Sequence, residues 1–323
     1  MKRAFLFAGQ GSQKVGMGKE LYESSKTFAE KIDQAEEIFA NLAKADSSYE
    51  HTSLRQLMFE GPEEALSQTR YTQPALAAFA AGIIALLEEK GIQADGAAGL
   101  SLGEYSALYY AGVFDLKELI QLLTFRGRVM EEASSGIVCS MSAVLGLSQE
   151  KVREAVAEGS KSGIVEISNY NATGQIVIAG EEKAVAKAEE AAKELGAKRC
   201  MRLKVSGPFH TSFMKPAGDA LAEKFKEVSF GEAKLPVIFN TTARPLRQGE
   251  RIPELLVKQV QRNVQMEDTI LYLAEHGFDE VIEIGPGKTL SGFVKRTAKG
   301  IKSYAVEDCK SMEKLLEAIF QEA

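Results

Sequence analysis

Three residues far apart in the chain are of types that together perform nucleophilic chemistry: Ser101, His210 and Arg126. Ser101 stands in GLSLGEYSAL (99–108), and the spacing Gly99-x-Ser101-x-Gly103 fits a nucleophile elbow. In such an elbow the glycines leave room for a sharp strand-to-helix turn, which exposes the hydroxyl and aims the next backbone N–H at a developing oxyanion. A plain glycine-rich turn has the same spacing, so the motif needs a base beside it. The chain has three histidines. His51 lies in a polar run, and His276 precedes Gly277 near a helix end, where an imidazole meets terminal carbonyls. His210, in KVSGPFHTSFM, sits where a strand gives way to a loop and then a helix, a junction at which side chains face clefts. It reads as a general base or as a satisfied junction histidine, since position alone fixes neither pKa nor geometry.

Arg126 belongs to FDLKELIQLLTFRGRVMEEASSG, which begins with Asp115 as N-cap and Glu118 three residues on, and stops at Ser-Ser-Gly. Leu122 and Leu123 lie one turn before it and Val129 and Met130 one turn after, so Arg126 falls in the apolar stripe, while Arg128 faces Glu131 and Glu132. A core-facing guanidinium stays charged and requires an anion. Either a protein carboxylate supplies it, as a buried salt bridge, or a ligand does, held by two parallel hydrogen bonds.

The elements that must position these residues alternate between helix and short strand as far as about residue 136, an α/β pattern. PALAAFAAGIIALL (74–87) reads as a buried core helix with proline in its first turn, too short to span a bilayer. From about 138 to 205 the order becomes βαββαβ, the split ferredoxin-like motif, ending on the strand AKRCMRLKV. Helix, the strand LPVIFNT, helix and the strand FDEVIEIG then resume. The expectation is a large α/β domain with a parallel sheet core in two segments, 1–136 and 207–323, with a small ferredoxin-like domain inserted at 137–206.

Composition narrows the function. The 323 residues are 45% hydrophobic, ample for a core, and the net charge of −6 argues against a general nucleic-acid or membrane-surface binder. Cys139, Cys200 and Cys309 are odd in number and widely spaced, which indicates neither a disulfide framework nor a metal site and points to the reducing cytoplasm. The apolar run in MKRAFLFAGQG reads as a strand, being too short for a signal peptide. GQGSQK lacks the third glycine of a dinucleotide fingerprint, and GPGKT has Ile282 where a phosphate loop begins with glycine, so no nucleotide cofactor is expected. Lys295, Arg296, Lys299 and Lys302 crowd VKRTAKGIK, either as a solvated face or as a dock for an acidic partner.

In order along nearly the whole chain, FAGQGSQKVGMG, YTQPAL, GLSLGEYSAL, LTFRGRVM, NYNATGQIVIAG, VSGPFHTSFM, LVKQVQRNVQM and IEIGPGKTL resemble the malonyl-CoA:acyl carrier protein transacylases and the related acyltransferase domains of fatty acid and polyketide synthases. The resemblance implies a hydrolase-like α/β core with a ferredoxin-like insert. It implies that Ser101 carries the acyl group, His210 is its base and Arg126 holds the malonyl carboxylate. It also implies an oxyanion hole from the backbone N–H groups of Gln10 and Leu102, a Gln259 carbonyl that orients the histidine in place of an acid, and Gln73 and Asn171 lining the site. Phe209 resembles the residue of malonyl-selective members. Leu100 departs from the family, most of whose members have histidine there. The implied partners are malonyl-CoA, a coenzyme A thioester that is a substrate rather than a cofactor, and an acyl carrier protein; no cofactor is implied. The implied activity is transfer of malonyl to the carrier's phosphopantetheine thiol through malonyl-O-serine in fatty acid biosynthesis; the alternatives are supply of a polyketide synthase, or hydrolysis by a serine thioesterase using the same serine and histidine.

Overall fold

Short apolar runs that end in glycine build a parallel sheet whose strand ends lie side by side. The protein is seen here as a computed structural model that describes residues 1–204 and 207–321. The strands in chain order are β1 (Arg3–Phe7), β2 (Gly96–Gly99), β3 (Cys139–Leu145), β4 (Val165–Ala172), β5 (Gln175–Glu181), β6 (Arg199–Arg202), β7 (Val237–Ile238), β8 (Val264–Gln265), β9 (Glu280–Ile284) and β10 (Lys302–Val306). The first sheet has the order β10-β9-β1-β2-β7, and all its neighbours are parallel. Phe7 is in register with both Gly99 and Ile284, so three chain segments leave the sheet at one level. That level is the carboxyl edge, where open α/β sheets bind their ligands.

The second sheet has the order β6-β3-β5-β4-β8. Its first four strands have the split ferredoxin-like order with antiparallel neighbours, as the βαββαβ pattern predicts. The fifth strand was not foreseen: β8, from the later part of the chain, pairs in parallel with β4 through Asn169↔Val264 and Tyr170↔Gln265. Two paired residues are too short a run for any periodicity to reveal. The strand expected over AKRCMRLKV ends at Arg202; Val205 and Ser206, where that reading closed the strand and the insert, lie outside the described residues. LPVIFNT gives only the two residues of β7, and KSYAV, not singled out by its sequence, forms the edge strand β10.

The apolar run after Pro74 is part of a longer helix, Thr69–Glu89, in which Pro74 is interior rather than in the first turn. Proline removes the N–H that would reach back one turn. The turn before it is held by Thr72, whose hydroxyl donates to the Leu66 carbonyl at 2.6 Å, with Gln68 at 3.1 Å. Its most apolar stretch is 89% buried inside the protein, which accounts for its hydropathy as core. The helix Leu116–Ser134 packs along it, with the expected capping box of Asp115 and Glu118.

Gly127, next to Arg126, is the point of closest approach of those two helices. A Cβ there would lie 2.6 Å from the Thr69 carbonyl oxygen and 2.9 Å from the Arg70 Cα, both backbone atoms that cannot swing away. In an exposed helix Gly→Ala gains about 1 kcal/mol. Here Gly127→Ala is expected to destabilise by about 1–3 kcal/mol through overpacking, read as a lower denaturation midpoint in urea. A higher midpoint would show that the helices separate without cost.

Candidate active site

Ser101 and Gln10 emerge from adjacent strands, and each glycine of the elbow answers a steric demand. A Cβ on Gly99 would meet the Gly103 carbonyl carbon at 2.0 Å, and one on Gly103 would meet the Phe7 carbonyl oxygen at 2.3 Å. Ser101 turns the chain with a left-handed φ of 56°, and His210 has φ 60°. For non-glycine residues such conformations cost roughly 1–3 kcal/mol each and persist where the surroundings fix them. Both members of the expected pair are held this way.

The pair is formed. His210 Nε2 lies 2.7 Å from Ser101 Oγ, and Nδ1 lies 2.8 Å from the Gln259 carbonyl oxygen. A carbonyl only accepts, so Nδ1 carries the proton and Nε2 presents its lone pair to the hydroxyl. Gln259 is close to the end of the helix Ile252–Gln261, whose last carbonyls have no partner within the helix. Burial, together with the Arg126 charge, lowers the His210 pKa from 6.5 to about 4, although the Gln259 hydrogen bond opposes the shift. The imidazole is therefore neutral, and available as a base, throughout the neutral range.

Arg126 is fully buried, as the apolar stripe requires. Nη1 donates to Gln73 Oε1 at 2.8 Å; Nη2 donates to Gln259 Oε1 at 3.0 Å and to Ser101 Oγ at 3.1 Å. The face of the Tyr105 ring lies 5.4 Å from the guanidinium carbon, and Nε has no partner among the described residues. Every described hydrogen-bond acceptor on this cation is neutral. Of the two origins its sequence left open for the anion, the described residues provide no ion pair. Arg128 pairs with Glu132 at 2.8 Å as expected, but Glu131 pairs with Arg70 at 2.8 Å.

Leu102 is the N-cap of the helix Gly103–Tyr110, so its N–H is free of that helix. Gln10 sits in the turn after β1, anchored by its side chain, which donates to Thr69 Oγ1 at 3.1 Å. Among the described residues neither backbone N–H has a partner. Phe209 is buried in the main core beside His210. Asn171 lies on β4 with Oδ1 buried and unpartnered among the described residues, and no described hydrogen bond joins it to Ser101, His210 or Arg126. Leu100 is partly buried against the core around Leu6, Ala98 and Ile238, and its carbonyl oxygen would lie 2.7 Å from a Cβ on Gly9.

Two contributors were missed. Asn240, just past β7, accepts the Ser101 N–H at Oδ1 (2.8 Å) and donates from Nδ2 to the Gly99 carbonyl (2.6 Å), bracketing the elbow. The Gln259 side chain also donates to the Ser101 carbonyl at 2.7 Å, so one residue touches serine, histidine and arginine. An asparagine after a short strand carries no motif. His51 and His276 have the structural roles expected: the former is edge-on to Tyr71, and the latter bonds the Tyr272 carbonyl at 2.8 Å.

A lone pair kept available to about pH 4 has a direct readout. Inactivation of Ser101 by a sulfonyl fluoride is expected to hold its rate well below pH 6.5 and to fall only toward pH 4. A fall centred near 6.5 would mark a solvated imidazole instead.

Comparison with known proteins matches residues 4–315 to the family described as acyl transferase domain. The chain is 40% identical over 322 residues to the malonyl CoA-acyl carrier protein transacylase of Bacillus subtilis, covering 99% of this chain and 98% of that one. Among solved structures it is similar to the malonyl CoA-acyl carrier protein transacylase of Clostridium perfringens, with a TM-score of 0.92, 38% identity, and coverage of 100% of this chain and 98% of that one. It is also similar in shape to a malonyl-transacylase solved in complex with its type II PKS acyl-carrier protein, with a TM-score of 0.91, 37% identity, and coverage of 98% of this chain and 100% of that one.

Proposed function

Because the chain belongs to the acyl transferase domain family, we propose that it transfers the malonyl group of malonyl-CoA to the phosphopantetheine thiol of an acyl carrier protein through an ester on Ser101. The observation that carries this reading is the buried Arg126 guanidinium, 3.1 Å from the Ser101 hydroxyl and, among the described residues, bonded only to neutral acceptors. A malonyl ester on Ser101 brings the missing anion with it.

In the first half-reaction His210 Nε2 takes the Ser101 proton as Oγ adds to the thioester carbonyl. The Gln10 and Leu102 amides receive the oxyanion. As the C–S bond breaks, His210 returns the proton to the departing thiolate of coenzyme A, leaving malonyl-O-serine. In the second, the carrier thiol gives its proton to His210 and adds to the ester carbonyl, and Ser101 leaves with that proton. Both halves balance without a metal or cofactor. The Gln259 carbonyl stabilises the imidazolium in place of an acid, and Gln73 and the Gln259 side chain aim the guanidinium. Phe209 is assigned to exclude an α-branch from the acyl pocket, and Asn171 to line the pocket from the small sheet. We place the reaction in the cytoplasm, a reading supported by three free cysteines. Fatty acid and polyketide carriers would use this same chemistry.

Radiolabelled malonyl-CoA tests the reading: a stable label on Ser101 that passes to carrier is expected, whereas net release of malonate would make the protein a thioesterase. Arg126→Ala removes a charge-assisted contact worth about 2–5 kcal/mol, so kcat/KM for malonyl-CoA is expected to fall roughly 30- to several-thousand-fold. Acetyl-CoA, lacking the carboxylate, should lose far less. Equal losses with a large drop in Tm would make Arg126 a structural residue.

For the carrier, Lys295, Arg296, Lys299 and Lys302 are all exposed, and Lys288, Lys295 and Lys299 line a groove of about 620 Å³. This supports docking of an acidic carrier on that face. Reversing Lys295 and Lys299 to Glu should raise the carrier KM and flatten its salt dependence without changing Ser101 labelling. An unchanged carrier KM would remove the assignment.

A further inference from the structure

Glu104 is a buried carboxyl that no step above uses. It follows Gly103 in the first turn of the helix Gly103–Tyr110 and is fully buried beneath the elbow. Oε2 accepts the backbone N–H of Asn240, and Oε1 has no partner among the described residues. Asn240 is the residue that grips Ser101 N–H and the Gly99 carbonyl. The chain of contacts therefore runs from Glu104 through Asn240 to both sides of the nucleophile.

We propose that Glu104 is a positioning residue of acyl transfer, which through Asn240 fixes the elbow presenting the Ser101 hydroxyl and the Leu102 amide, and which acts as a neutral carboxyl so that the Arg126 charge remains for the substrate. The proposal rests on the malonyl-transfer reading. A carboxylate buried without an ion pair is costly, and protonation relieves that cost. The charged group facing Glu104 is Arg126, from the helix Leu116–Ser134, with Tyr105 beside it on its own helix. Helix Thr69–Glu89 contributes the neutral Gln73 to this region, and its Arg70 is paired with Glu131. The β2 and β7 strands carry no ionisable residue, and Arg3 of β1 is paired with Glu280. Burial raises the Glu104 carboxyl to about 8 against the opposing pull of Asn240 and Arg126. Below that pH it is neutral. Above it, an anion beside Arg126 competes with the malonyl carboxylate, so the KM for malonyl-CoA should rise several-fold between pH 7 and 9 while that for acetyl-CoA stays level.

Glu104→Gln keeps the acceptor for Asn240 and removes the ionisation. It is expected to retain most of kcat and to abolish the alkaline rise in malonyl-CoA KM. Glu104→Ala removes the acceptor, and kcat should fall by about ten- to a hundredfold for malonyl-CoA and acetyl-CoA alike, as misplacement of a nucleophile does. Retained kcat in Glu104→Ala, or an alkaline KM rise that persists in Glu104→Gln, would overturn the proposal. The isosteric Gln variant decides the second point even if the Ala variant does not fold. Wild-type enzyme that takes no label from malonyl-CoA would refute malonyl transfer itself, a result distinct from either.

Discussion

A guanidinium out of water, with no counter-charge in contact among the described residues, is the constraint around which this site is arranged. Such a cation is tolerable only if its N–H groups are bonded and its field has something to act on. Gln73 and Gln259 satisfy the first requirement with amide oxygens, which accept hydrogen bonds but cancel no charge. The field then acts on its neighbours. It helps to hold His210 neutral and pulls against the burial that protonates Glu104. The site thus combines an imidazole at His210 that stays neutral, a carboxyl at Glu104 that burial keeps neutral below about pH 8, and the Arg126 cation. A buried ion pair at Arg126 would have relaxed all three.

The same economy appears at Gln259, where backbone and side chain serve different masters. Its carbonyl is free because the helix ends there, and its amide bridges the arginine and the elbow. Serine and arginine lie 25 residues apart and the histidine 109 residues beyond the serine, and this one residue bridges all three.

How much of this was legible depended on whether each feature leaves a local pattern. The elbow was readable because steric demands at Gly99 and Gly103 admit only glycine, and Arg126 was readable because a cation breaks an apolar stripe. The capping box at Asp115 and the split order of the insert were equally local. Pro74 misled because a side-chain hydroxyl, rather than periodicity, extends its helix backwards. Asn240 and Glu104 were invisible for another reason: their partners lie more than a hundred residues away, and an asparagine or a glutamate in isolation states nothing about what it touches. The Gln259 and Arg126 roles of the malonyl-transfer reading were suggested by family resemblance, whereas the neutral partners of the cation could only be seen in three dimensions.

Strand β8 gives the molecule a mechanical property that its two-sheet layout conceals. It lies between the helix that carries Gln259 and the helix Met266–Glu275, pairs with β4 of the small sheet, and donates the Gln265 N–H to the Asn240 carbonyl at 2.8 Å. From the other side, Glu166 of β4 accepts the backbone N–H of Ser212, two residues beyond the base, at 3.0 Å. The small sheet is therefore tethered to both the histidine loop and the elbow support. A displacement of β4 is transmitted through β8 to Asn240 and through Glu166 to the loop that carries His210, rather than stopping at the edge of the small sheet.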